Sequence, residues 1–409
     1  MDIRITPKKL SGSVTVPPSK SVAHRMIIAA SLSRGSSKIT NLSPSVDILA
    51  TIDCMRALGA KIDFENGVAL IEGIQTPPKN ALLDCCESGS TLRFLIPVAC
   101  ALGTTAEFTG RGKLPQRPIT PFLEEFPAHG ITFDFGKAKS GESLPCYVSG
   151  KLTAGRFEID GGISSQFITG MLFALPLLNG DSEIVLTSHL ESKPYVDITL
   201  GVLRDFGCEV AKTPRGYSVH GGQAFKPFSG AVEGDYSQSA FFYTANSLGS
   251  QLEIKGLNAN SLQGDKKITE ICENFNRTGA SFEIDCSDIP DLVPILTVLA
   301  CFGKGKSRLT NVARLRIKEC DRLAAMEDCL NRIGGNVRAY EDHIEIEGVE
   351  TLKGGEVDSY NDHRIAMSMA IAATRCEQPL MIRGAECVSK SFPNFFEYYK
   401  ALGGELEEI

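Results

Sequence analysis

Six times the chain runs through a helix-like pattern, stops at a glycine and continues as an alternating strand: RALGAKIDF, PAHGITFDF, RDFGCEVAK, NRTGASFEI, NRIGGNVRAY and KALGGELEEI. The glycines are Gly59, Gly130, Gly207, Gly279, Gly334 and Gly403, spaced 71, 77, 72, 55 and 69 residues apart. A glycine just past a helix suits the left-handed C′ position because it has no Cβ to clash there. The period-2 pattern behind it suits a strand with one buried face. Helix, glycine, strand is common in any α/β protein, but six copies on a period of about 70 residues point to a duplicated unit, three copies and then three more. A chain of 409 residues is also too long for one simple core. The Pro/Gly/Ser-rich stretch AFKPFSGAVEGDYSQSA, residues 224–240, is where it is expected to cross between halves.

Charge and cysteine usage narrow the function. A net charge of −7 argues against nucleic acid as the main partner, since phosphate backbones recruit basic faces. Thirteen cysteines, an odd number with no C-x-x-C spacing, read as scattered buried thiols in a reducing compartment, and no zinc or iron–sulfur pattern is present. No apolar stretch reaches the roughly 18 residues of a membrane span, and MDIRITPKKLSG lacks the apolar core of a signal peptide. The expectation is a soluble, cytoplasmic protein.

Several apolar helices are expected to open on polar clusters. PPSKSVAHR precedes MIIAASL and puts Lys20, Ser21 and Arg25 at a helix start, with Ser19 as the candidate cap. Cations are disfavoured in a first helical turn, so they suggest an anion there, which free backbone N–H groups would also favour. SGSTLR contributes Ser88, Gly89, Ser90, Thr91 and Arg93, and GGISSQF contributes Ser164, Ser165 and Gln166. Each alone reads equally well as an ordinary capped helix; three in one half favour anion binding. In the second half, CSDIPDLVP places Asp288 and Asp291 at the mouth of an apolar helix, and YNDHRIAM opens another with Asp362, His363 and Arg364. RLRIKECDRLAAM is expected to bring Lys318, Glu319 and Arg322 within one helical turn, with Lys318 and Arg322 as an i,i+4 pair, and Lys390 falls on a loop. GKGKS is not a phosphate-binding P-loop, because Ala300 stands where the first glycine belongs and SRLTNV reads as a strand.

PPSKSVAHR, SGSTLR, GRGKLPQRPI, GGISSQF, ESKPYVDIT, IPDLVP, LRIKECDRL, YNDHRIAM and KSFPNFF resemble, in order and over nearly the whole chain, the enolpyruvyl transferase family. The resemblance implies a two-domain inside-out α/β barrel, each domain three βαβαββ repeats about a pseudo-threefold axis. It implies a discontinuous domain of residues 1–18 and 233–409 and an inserted domain of residues 19–232. Lys20, Ser21, Arg25, Ser164, Ser165, Gln166, Ser192, Tyr195, Asp291 and Lys318 are then the expected contacts of shikimate 3-phosphate. Lys20, Gly89, Arg117, Gln166, Arg322, Arg364 and Lys390 are those of phosphoenolpyruvate. The implied reaction adds the shikimate 5-hydroxyl to the vinyl carbon and expels phosphate, with Asp291 as base and Glu319 and Lys20 as proton donors. No cofactor and no metal is implied, and the partners are these two small molecules, acted on by a monomer. A glyphosate-like analogue is expected to compete with phosphoenolpyruvate beside Gly89.

Two positions depart from the family pattern, which commonly has Asn where this chain has Glu87 and Arg314; Arg314 is left out of the expected site. GRGKLPQRP lacks the cysteine usual in the sister enzyme acting on UDP-N-acetylglucosamine, which favours shikimate phosphate. An RNA 3′-phosphate cyclase of the same fold is disfavoured by the acidic charge. A non-catalytic anion-binding protein would not need Asp291, Glu319 and Lys20 together.

Overall fold

The computed structural model describes residues 1–409. The backbone divides into two compact units, Met1–Ser19 with Glu233–Ile409, and Lys20–Val232.

All six glycines have positive φ, from +59° at Gly279 to +103° at Gly59, as the left-handed C′ position requires. Five are followed by a strand that joins a four-stranded sheet of one recurring order: two parallel strands, then two antiparallel ones. In the inserted unit Asn80–Asp84 runs parallel to Thr105–Thr109, which pairs antiparallel with Cys146–Gly150, which pairs with Ile131–Asp134. Arg156–Ile159, Ser182–Leu186, Gly216–Val219 and Ala211–Thr213 repeat the order, as do Gly230–Ala231, Ser36–Thr40, Val68–Glu72 and Lys61–Glu65. The other unit contains Glu283–Asp285, Lys306–Thr310, His343–Glu347 and Asn336–Ala339. Its next sheet is Gly355–Asp358, Leu380–Arg383, Ile3–Thr6 and Glu405–Glu408, closed by the first strand of the chain.

The sixth repeat is incomplete. Ser11–Thr15 and Gln251–Lys255 form a parallel pair alone, and the strand after Gly279, Glu283–Asp285, belongs to the next sheet. The missing hairpin explains why the Gly279–Gly334 interval is the short one. A second departure lies at PAHG, where the pattern reads as helix. The α-helix Thr120–Glu125 gives way to a 3-10 turn, Phe126–His129, at Pro127, which has no N–H to continue the ladder.

Each unit buries three helices almost completely. In the inserted unit they are Lys20–Leu32, Gly89–Leu102 and Ser165–Ala174. In the other they are Tyr236–Ser247, Val293–Ala300 and His363–Ala373. Helices apolar all round must sit inside a protein, while the strands of the surrounding sheets alternate buried and exposed residues, as in Ser36–Thr40. Fully burying a Leu, Ile or Phe contributes roughly 1.5–3 kcal/mol, so these helices anchor each unit. Their flanks being apolar, only their ends remain for polar chemistry. Ser88, Ser164, Asp235 and Asp362 cap four of them, accepting from the backbone N–H of Thr91, Gln166, Gln238 and Arg364.

Gly170 lets two of these helices touch. A Cβ there would lie 2.3 Å from the Arg93 carbonyl oxygen and 3.1 Å from Pro97 Cγ. Pro97, four residues after Arg93, cannot donate to that carbonyl, which leaves it turned to the neighbouring helix. Gly170→Ala should therefore force the Ser165 and Gly89 helices apart and destabilise the protein by about 1–3 kcal/mol, measured as a lower urea midpoint with an unchanged slope.

Candidate active site

In the inserted unit, the starts of the three buried helices carry the expected anion-binding residues. Lys20 Nζ donates to Asp47 Oδ2 at 2.8 Å. Gly89 faces Arg117 and Gln166, since a Cβ on it would lie 2.6 Å from Arg117 Nη1 and 3.6 Å from Gln166 Oε1. Gln166 accepts from Arg93 Nη1 at 2.8 Å and donates to Ser90 Oγ at 3.0 Å, while Arg93 Nη2 donates to the Pro118 carbonyl at 2.9 Å. The RP loop is thereby tied to two helix starts. Glu87 lies against the same loop, because a Cβ on Gly112 would meet its Oε2 at 2.4 Å.

Arg25 is buried, and most of its hydrogen-bonding capacity is engaged within the protein. Nε donates to Thr199 Oγ1 at 2.8 Å, Nη1 to the Ser21 carbonyl at 2.7 Å, and Nη2 to the Tyr195 carbonyl at 3.0 Å and Thr169 Oγ1 at 3.2 Å. Burial pushes its pKa down to about 9, still charged at neutral pH. It holds together the Lys20, Ser165 and Lys193–Asp205 helices and fixes the carbonyl of Tyr195. Ser164 and Ser165 are buried at the Ser165 helix start. Ser192, also buried, takes φ +56° just before the Lys193 helix.

The second cluster belongs to the other unit and centres on Arg322, 2% exposed. Its guanidinium donates to three carboxylates: Nε to Asp362 Oδ2 at 2.7 Å, Nη2 to Glu319 Oε2 at 2.8 Å and Nη1 to Asp291 Oδ1 at 3.0 Å. Arg364 Nη2 takes the second oxygen of Asp291 at 2.8 Å, and its Nη1 takes the Asp291 carbonyl at 3.1 Å. Burial works to raise the Asp291 pKa, but Arg364, Arg322 and Lys318 outweigh it and hold the carboxyl well below the usual carboxylate range. Burial, opposed by Asp291 and reinforced by Arg322 and Arg314, pushes Lys318 down to about 7. Arg314 donates through Nη2 to the Ser287 carbonyl. Buried Lys390 donates to the Asn361 carbonyl at 2.7 Å.

The helical i,i+4 pairing expected of Lys318 and Arg322 does not form. Ala313–Ile317 is a 3-10 turn, Lys318 is extended at φ −88° and ψ −151°, and the α-helix begins only at Arg322. Asp321 imposes that boundary by accepting from the N–H of Leu323 and Ala324, while Arg316 Nη1 holds its other oxygen at 2.6 Å. Lys390 likewise ends a 3-10 turn, Ala385–Lys390, where a plain loop was expected.

Sequence reasoning left out Asp47 in one cluster and Asp265 in the other; it placed Ser90, Arg93 and Asp362 at helix starts but gave them no substrate. Arg93 carried a signal, a cation in an otherwise apolar helix. Asp47 and Asp265 carried none, since what they interact with lies 26 or more residues away.

The arrangement defines a two-unit α/β protein built from βαβαββ repeats, with basic and acidic groups gathered at buried helix starts. Residues 5–399 match the sequence model of EPSP synthase (3-phosphoshikimate 1-carboxyvinyltransferase). The chain is 45% identical over 422 residues to the 3-phosphoshikimate 1-carboxyvinyltransferase of Clostridium perfringens strain 13, covering 99% of both. It is 45% identical over 428 residues to the protein of that name from Clostridium botulinum strain Alaska E43, covering 99% of this chain and 98% of the other. The solved EPSP synthase from Acinetobacter baumannii superimposes with a TM-score of 0.81 at 25% identity, over 100% of each chain. The enolpyruvyl transferase NikO from Streptomyces tendae shares the fold, with a TM-score of 0.77 at 15% identity, covering 99% and 98%. This chain belongs to the EPSP synthase family. No helix is long and apolar enough to cross a membrane.

Asp265, buried near Asp291, provides a test of the second cluster. Burial first and then the Asp291 charge push its pKa up to about 7, against the pull of Arg364. In the unfolded chain it titrates near 4, so between about pH 4 and 7 the folded state binds the extra proton, and stability falls as pH rises through that window. Asp265→Asn removes the effect. The stability of the variant relative to the unsubstituted protein should therefore rise by roughly 1 kcal/mol or more from pH 4.5 to pH 8, read by urea unfolding at both.

Proposed function

We propose that the two clusters together transfer the enolpyruvyl group of phosphoenolpyruvate to the 5-hydroxyl of shikimate 3-phosphate, releasing phosphate. Enolpyruvyl transfer in the shikimate pathway to chorismate and the aromatic amino acids is the activity of the family to which the chain belongs. The assignment of roles rests on one observation: Arg322 and Arg364 stand as a carboxylate clamp, one guanidinium on each oxygen of Asp291. Paired guanidinium–carboxylate bonds are geometrically selective and contribute about 1.5–3 kcal/mol each. Both substrates carry a carboxylate and a phosphate, so the clamp has a natural ligand in phosphoenolpyruvate. Lys20, Gly89, Arg117, Gln166 and Lys390 complete that set. Lys20, Ser21, Arg25, Ser164, Ser165, Gln166, Ser192, Tyr195, Asp291 and Lys318 bind shikimate 3-phosphate.

The chemistry follows from charge. Asp291, held ionised by its cations, accepts the proton of the 5-hydroxyl as its oxygen bonds to C2 of phosphoenolpyruvate. The methylene carbon C3 takes a proton, giving a tetrahedral intermediate. Loss of that type of proton from C3 then re-forms the double bond as the C2–phosphate bond breaks. Lys20, paired with Asp47, and Glu319, paired with Arg322, are the groups that give C3 its proton and take one back in the elimination. The small side of Gly89 matters to the anion, since a methyl there would meet the Arg117 guanidinium. We place the enzyme in the cytoplasm as a monomer.

Phosphate release should require phosphoenolpyruvate and shikimate 3-phosphate together, measured with each omitted in turn; equal release with UDP-N-acetylglucosamine would transfer the assignment to the sister activity. Asp291→Asn should lower turnover per folded molecule by on the order of 10²- to 10⁴-fold. A variant that loses stability but keeps its turnover would make Asp291 a structural partner of the arginines alone.

A further inference from the structure

In the inserted unit, the helix Val46–Ala57 carries none of the residues assigned to substrate, yet two of its side chains reach the two helices that do. Asp47 holds Lys20. One turn on, Thr51 Oγ1 lies 2.7 Å from His24 Nδ1 on the Lys20 helix and 2.7 Å from Thr91 Oγ1 on the Gly89 helix. Thr91 Oγ1 in turn donates to Ser88 Oγ at 2.7 Å, and Ser88, the cap directly before Gly89, also accepts from Thr91 N–H at 3.2 Å. His24, Thr51, Thr91 and Ser88 are each at most 1% exposed. They form an unbroken buried line between two helix starts.

Counting hydrogens gives the line a direction. A hydroxyl has one hydrogen to donate and two lone pairs. The Thr91 hydrogen goes to Ser88, so Thr51 must donate to Thr91. Thr51 gives up its longer contact with the Asp47 carbonyl, 3.3 Å, and can meet His24 only as an acceptor. His24 therefore carries its proton on Nδ1. The reverse direction would put the proton on Nε2, which has no hydrogen-bond partner, leaving a buried N–H orphaned, the rarer and costlier defect. Burial, Lys20 and Arg25 keep the ring neutral by lowering its pKa well below the usual histidine value.

We propose that Thr51 is a positioning residue for phosphoenolpyruvate: accepting from His24 and donating to Thr91, it locks the Lys20 and Gly89 helices in one register so that both meet the same anion. The role rests on the assignment of Lys20 and Gly89 to that substrate. Two measurements test it. Nitrogen-15 NMR of the imidazole in the unsubstituted, full-length protein at pH 7 should show His24 neutral with Nδ1 protonated; an Nε2–H tautomer or an imidazolium overturns the directed line. Thr51→Val keeps the shape and removes the hydroxyl. It should raise the KM for phosphoenolpyruvate about five-fold, the effect of roughly one hydrogen bond, with kcat little changed, and Thr51→Ser should restore the KM. An unchanged KM in Thr51→Val, where Lys20→Ala raises it, overturns the positioning role. If Lys20→Ala also leaves that KM unchanged, the substrate assignment fails and the positioning role falls with it, while the tautomer still decides the direction of the line.

Discussion

Arg322 gives the unit formed by the two ends of the chain its polar centre. One guanidinium joins three carboxylates from three segments: Asp291 from the turn before an apolar helix, Glu319 from the strand-to-helix connection, and Asp362 from the cap of a third element. At 2% exposure this charge is tolerable only because it is fully partnered. Removing one member of such a group typically costs about 3–5 kcal/mol, because the others stay buried without it. The same tie sets the charge of Asp291. Two arginines facing the Asp291 carboxylate hold it charged, and one of them, Arg322, also bonds Asp362, the cap of the His363 helix. Stability and proton affinity are therefore governed by one set of contacts.

The construction of each unit explains why polar chemistry gathers where it does. Helices enclosed by sheets have no wet face, so a reactive group on their flanks would be a buried defect. Their first turns escape this, because the backbone there has N–H groups that need partners in any case. Arg25 and Arg93 show the compromise: both lie inside largely buried helices, and both have their guanidiniums held by carbonyls and side-chain oxygens and set over phenylalanine rings, 5.0 Å from Phe94 and 4.9 Å from Phe167.

How much of this the sequence reveals depends on how local the cause is. The helix–glycine–strand signature is a property of a dozen adjacent residues, and all six glycines adopt the backbone it demands. The glycine spacing also held a clue that pattern reading passed over: the interval of 55 residues marks a repeat that lacks its hairpin. Lys318 and Arg322 look helical in spacing, but Asp321 between them is a better cap than a helix-interior residue, and a cap four residues after a 3-10 turn starts a new helix. Asp47, Thr51 and Asp265 act across the fold. Nothing in DILAT or QGDKK announces what each touches, because those partners come from other helices and turns. The ordered motifs of a known family supplied the substrate sets that spacing alone left open.

The sheet closed by Ile3–Thr6 has a consequence for synthesis on the ribosome. Ile3 pairs with Ile382 on one side and Glu408 on the other. That strand thus has no partner in its sheet until Leu380–Arg383 and Glu405–Glu408 have been made. Residues 20–232, by contrast, contain every strand of their own three sheets. One unit can reach its native state while the nascent chain is still growing, whereas the other must keep a short apolar edge in waiting. Sequence order and pairing order are thereby uncoupled: residues 20–232 can complete their sheets before Ile3–Thr6 meets either of its partners.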